Sequence, residues 1–141
     1  MCRAVRRQLG RRGTALALLG AGKVLYGLGY LLAGEDHPPG LELLTRHGDI
    51  RAWALVWIIC GTATFVCAFL RIGRDWAGFL AALFPPFVWG GAYAWAALAY
   101  DYPRGWTVAG WFAVSHCAVI LWAASVPEHS IPHPKRRGDP T

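Results

Sequence analysis

Acidic residues are scarce in this chain, and from its apolar runs they are missing altogether. The 141 residues carry 8 Asp and Glu against 14 Lys and Arg. Three stretches, Ala52 to Leu70, Trp76 to Tyr100 and Trp106 to Val126, hold no charge of either sign, and a fourth, Thr14 to Ala33, holds only Lys23. A soluble helical bundle needs a polar stripe on each helix, and runs of this length without one argue against it. Crossing a hydrocarbon core of about 30 Å takes roughly 20 helical residues at about 1.5 Å each. All four runs meet or approach that length, so the chain reads as all-α, an integral membrane bundle of four transmembrane helices at 14–33, 52–70, 76–100 and 106–126.

Disulfide and catalytic patterns are lacking too. Cys2, Cys60, Cys67 and Cys117 make no disulfide framework, since two lie seven apart in one apolar run; they read as small packing residues. The stretch "GAGKV" has the Gly-Lys pair of a phosphate loop, but Ala17 stands where the upstream glycine belongs and Val24 where a Ser or Thr would meet magnesium. His129 and His133 are four apart with Pro132 between them, and His37 and His47 fall in a different connection, which makes a poor metal set. No nucleophile has a positioned base. The expectation is a protein that is not an enzyme and uses no cofactor or metal.

What is present is a patterned positive charge. Arg3, Arg6, Arg7, Arg11 and Arg12 precede the first run, Arg71 and Arg74 lie between the second and third, and Lys135, Arg136 and Arg137 follow the fourth. The other two connections hold only Arg46, Arg51 and Arg104, together with Glu35, Asp36, Glu42, Asp49 and Asp101. By the positive-inside rule both termini are expected in the cytoplasm. The basic balance then marks topology and lipid head-group contact, not nucleic acid. Residues 1–13 form a basic cytoplasmic arm leading into an uncleaved first helix, 14–126 the transmembrane domain, and 127–141 a disordered, Pro-rich basic tail. The short connections "RIGRD" and "DYPRG" make helices two to four an up-down series. The loop "LELLTRHGD" fits either a short amphipathic helix lying on the membrane surface or an unstructured loop. Tyr30, Trp53, Trp57, Tyr100, Tyr102 and Trp106 are expected at the outer interface, with Trp76 and Trp122 at the inner one.

Each apolar run carries one polar or helix-breaking feature at a similar depth. These are Lys23, Thr62, the Pro85-Pro86 pair, and His116 beside Ser115. The prolines cannot donate to the carbonyls of Ala81 and Ala82, so a kinked third helix would offer acceptors to the Lys23 ammonium, with Thr62, Ser115 and His116 completing a midplane polar site. A central charge costs about 2.5–3.5 kcal/mol on insertion scales, and no run contains a carboxylate to pair with it. The competing reading is that Lys23 snorkels toward the head groups and the prolines only bend a helix. Glycine recurs at seven-residue spacing, Gly20, Gly27 and Gly34 beside Gly22 and Gly29, with Gly90 and Gly91 in the third run. Small residues let helix backbones approach, so these are candidate packing seams, within one chain in preference to between chains.

The arginine-rich start, the four spans and the stretch "CAFLRIGRDWAGFLAALFPPFVWGGAYAWAALAYDYPRGW" resemble small membrane proteins of actinobacterial phages and prophages. Some of these are proposed as holins, which assemble in the host membrane and permeabilise it. The resemblance implies a non-enzymatic, multi-pass protein of the bacterial inner (cytoplasmic) membrane with a holin-like or lysis-accessory role, whose partners are the lipid bilayer and further copies of itself. Two other functions stay open: an anchoring or regulatory subunit for an unidentified membrane or cytoplasmic partner, and a small channel or transporter using the midplane site.

Overall fold

The structure, a computed structural model, describes residues 2–33, 39–70 and 75–125, with side chains from residue 11 onward. Gly34, His37, the 71–74 part of the inner turn and the tail from Val126 lie outside the described residues, as do the expectations that fall on them.

Long runs of Leu, Ala, Val and Trp with no internal charge have no reason to stop winding, and the helices run until a turn residue ends them. Helix α1 spans Cys2–Ala33, α2 Glu42–His47, α3 Ile50–Cys67 and α4 Trp76–Ala99. The last apolar run is one rod of three parts: α5 (Gly105–Trp111), a π-helix (Phe112–Ala118) and α6 (Val119–Ser125). The basic arm is thus helical from Cys2, continuous with the first span. Asp49 caps α3, its carboxylate accepting from the Arg51 backbone N–H at 2.9 Å. Helix α4 runs through Pro85 and Pro86 without interruption.

Among the described residues four helices are long and apolar enough to cross a membrane: Arg11–Ala33, Ile50–Cys67, Trp76–Ala99 and Gly105–Ser125. Their outer faces are apolar as well as their inner ones. Leu18, Leu32, Phe87, Val114 and Trp122 stand out from the bundle, each more than two thirds exposed, while Lys23 is inside at 3 %. This distribution inverts that of a soluble bundle and leaves lipid as the solvent that suits it. The protein is a small multi-pass membrane protein.

The spans pack in chain order, first against second, second against third, third against fourth. The first and fourth meet only lightly. Between α1 and α3 the backbones nearly touch. A Cβ on Gly61 would lie 2.9 Å from the Gly20 carbonyl oxygen, and one on Gly27 would lie 2.7 Å from that of Ala54. At the Arg12 end of the bundle, Leu16, Ala68, Phe79, Ala82, Ile120 and Ala123 form one core cluster. There Asp75 and Arg12 form an ion pair, Oδ2 to Nε 2.8 Å, with the guanidinium 5.1 Å from the centre of the Phe79 ring.

At the opposite end the core is aromatic. Trp57 and Trp89 meet edge to face at 5.3 Å, joined by Phe112, Ile50 and Ala92. Trp57 is therefore a core residue and not part of the interface belt, because position 57 faces the same side of α3 as Gly61 and Thr64. Helix α2 caps this end. Leu41 and Leu44 are buried beneath it, and Trp53 Nε1 donates to the Leu44 carbonyl at 2.9 Å. The apolar side of α2, Leu43 and Leu44, covers this end of the bundle. Gly40 makes the turn into α2 at φ +86°, packed on the Tyr93 ring, where a side chain would have neither the backbone freedom nor the space.

Candidate functional site: a groove around Lys23

The light contact between the first and fourth spans leaves a groove of about 440 Å³ along the side of the bundle. Leu18, Leu19 and Tyr26 of α1 form one wall, His116, Val119 and Trp122 the other, and Trp57 closes the back. Gly22 opens it further: a Cβ there would meet nothing within 4 Å. The lining is almost wholly apolar apart from Lys23 and His116.

Lys23 lies near the centre of its span, about 15 Å or more from either end at about 1.5 Å per residue. Its stem passes the Gly61 backbone, and Nζ sits 5.7 Å from the centre of the Trp57 ring. A cation over a tryptophan face gains about 0.5–2 kcal/mol, which offsets only part of what a buried ammonium loses on leaving water. Among the described residues no hydrogen bond or ion pair holds it. Among the described residues the titratable groups within electrostatic range are Cys60, Cys117 and His116, none of them a carboxylate.

His116 is oriented by its neighbour. Ser115 Oγ donates to the Trp111 carbonyl at 2.6 Å and lies 2.8 Å from His116 Nδ1. A hydroxyl has one proton, and with it committed to Trp111 the ring must donate from Nδ1. Nε2 is left with a bare lone pair, an acceptor on a side chain that lines the groove beside Lys23. Both residues belong to the π-helix, whose wider winding loosens the backbone ladder where the serine hydroxyl takes over a carbonyl.

The other expected members of the midplane site lie elsewhere. Thr62 is exposed and donates to the Ile58 carbonyl at 2.8 Å, away from the groove. Pro85 and Pro86 are buried in α4. Pro86 lines a second groove, about 420 Å³, between α4 and the fourth span, with Gly90, Gly91, Trp106 and Gly110. The buried hydroxyl is that of Thr64, which donates 2.7 Å to the Cys60 carbonyl and lies 3.3 Å from the Gly78 carbonyl of α4. Its signal in the sequence is the spacing Trp57, Gly61, Thr64, one face of a helix at intervals of four and three. The glycines divide in the same way. Gly20 and Gly27 face α3, Gly90 faces Phe112, and Gly22, Gly29 and Gly91 open outward. Among the described residues no three His, Cys, Asp or Glu side chains gather as metal ligands. Comparison of the chain with family models, curated proteins and solved structures finds no match.

Proposed function

We propose that this protein is a non-enzymatic membrane subunit that works by associating with other helices inside the bilayer, anchoring or regulating a partner. The observation that carries this reading is the state of Lys23. It is buried, central, without a carboxylate in any span, and beside a groove open on the outside of the bundle. A charge that costs so much and meets so little within its own chain has its use at a contact with another molecule. By the positive-inside rule the arginines that lead into the first span put the Arg12 end in the cytoplasm, in the inner membrane that the phage-protein resemblance implies.

A second reading is supported by the outward glycines. Gly22 and Gly29 on α1, and Gly91 and Gly110 across the bundle, leave room for close helix approach. Self-association through these faces would suit a holin-like permeabilising role. The core is filled by Trp57, Trp89 and Leu16, so a passage would have to form between copies. A channel within one chain has no comparable support.

Inducible expression in bacteria with a voltage-sensitive dye separates the two. The subunit reading expects an unchanged membrane potential at good membrane levels of the protein. A sudden collapse after a delay would replace it with the holin-like reading.

A further inference from the structure

The groove between the first and fourth spans has a shape, a charge and a depth that together specify an occupant. We infer that it receives a transmembrane helix of another protein bearing an aspartate or glutamate near its midpoint, whose carboxylate pairs with Lys23. This rests on the subunit reading and names the chemistry of the partner.

Three observations carry it. First, Lys23 is 97 % buried by its own chain, yet lines the groove with no ion pair or hydrogen bond among the described residues. Beside it Trp57 Nε1 is a second buried donor without an acceptor. An ammonium at an apolar cleft calls for an acceptor-only group, and an ionised carboxylate is one. Second, the depth selects the source of that group. Head-group phosphates lie at the ends of the span, about 15 Å away, well beyond a lysine stem. A carboxylate at mid-bilayer is delivered by a helix that spans it. Third, α1 leaves room for close approach at the lysine: the space over Gly22, next to Lys23 in the groove lining, is empty. A second copy of this chain cannot be the occupant through its described spans, because none contains an acidic residue.

The pairing would be worth more than its surface equivalent, since both ions leave a medium without water, but only when geometry lets each satisfy the other. His116, whose Nε2 is left as an acceptor, lines the same groove as Lys23.

The test uses the full chain in phosphatidylcholine vesicles with synthetic spanning peptides. A Leu/Ala helix with one central aspartate, labelled for energy transfer, is compared with the same helix carrying leucine there. The aspartate peptide should associate about tenfold more tightly. Lys23→Met should abolish the preference, Lys23→Glu should transfer it to a peptide with a central lysine, and Gly22→Leu should weaken association with Lys23 in place. Melting and tryptophan emission check the fold of each variant. Equal association of the two peptides, or a preference that survives Lys23→Met, overturns the inference. So does displacement of the peptide by added phosphatidylglycerol, which would assign the groove to lipid head groups. Dye leakage from vesicles holding the chain alone would overturn the subunit reading, and the peptide preference would still judge the groove.

Discussion

At the scale of single residues, the question is which polar groups hold the bundle and which wait for something else. Arg12 and Asp75 hold it. Their pair is largely buried at the bundle end, and removing one partner takes this ion pair from the other charge. Asp75→Asn and Arg12→Gln should each destabilise the protein by about 1–3 kcal/mol in mild detergent, with a double-mutant coupling of about 0.5–3 kcal/mol. Additive losses would show that the two act separately. Lys23 behaves otherwise. Replacing it with methionine removes a charge that costs about 2.5–3.5 kcal/mol in mid-bilayer, so the melting temperature should hold or rise. A clear fall would mean that the ammonium supports the fold. The lysine itself was legible in the sequence as the one charge in four apolar runs. Thr62 misled because depth along a helix says nothing about its face, and one residue of winding turns Thr62 away from the side that Gly61 and Thr64 share. The Arg12–Asp75 pair was illegible, since the partners meet only when distant parts of the chain pack.

Among the elements, the seam between α1 and α3 is the most extensive joint. A valine at position 61 would press on the Gly20 carbonyl and force the backbones apart, costing about 1–3 kcal/mol. Gly22→Ala, on the open side of α1, should change stability by no more than about 0.5 kcal/mol. Thermal melts of the two variants side by side check the contrast, and equal losses would refute the division of the glycines into inward and outward sets. The sequence displayed both glycine series with the same period, and only the packing of α3 distinguishes them. It gave no sign of the π-helix, for nothing in "FAVSHCA" forbids ordinary winding. Ser115→Ala should release the Trp111 carbonyl and unlock His116. Nitrogen chemical shifts of the imidazole report this directly: a single Nδ1–H tautomer in the parent, a mixture in the variant. A mixture already present in the parent would show that the serine does not orient the ring.

For the whole molecule, four spans place residues before the first and after the fourth on one side of the membrane. The basic segments choose the side, so reporter fusions at residues 1 and 141 should both report cytoplasm, and a fusion near residue 102 the opposite face. A tail reporter found outside would reverse the topology. The number and order of the spans could be read from charge-free length alone, because the bilayer imposes that length on any crossing helix. How far α2 folds over the bundle end could not, since the same Leu pattern suits lipid and protein equally.

The backbone contact of α1 with α3 also bears on how the chain enters the membrane. Lys23 packs on Gly61 and Trp57, which belong to the next span to be synthesised. A nascent chain that stops after Ala33 presents its lysine to lipid bare, whereas one that continues through Cys67 brings the cover with it. Insertion should therefore proceed by helical hairpin, with the first crossing waiting on the second.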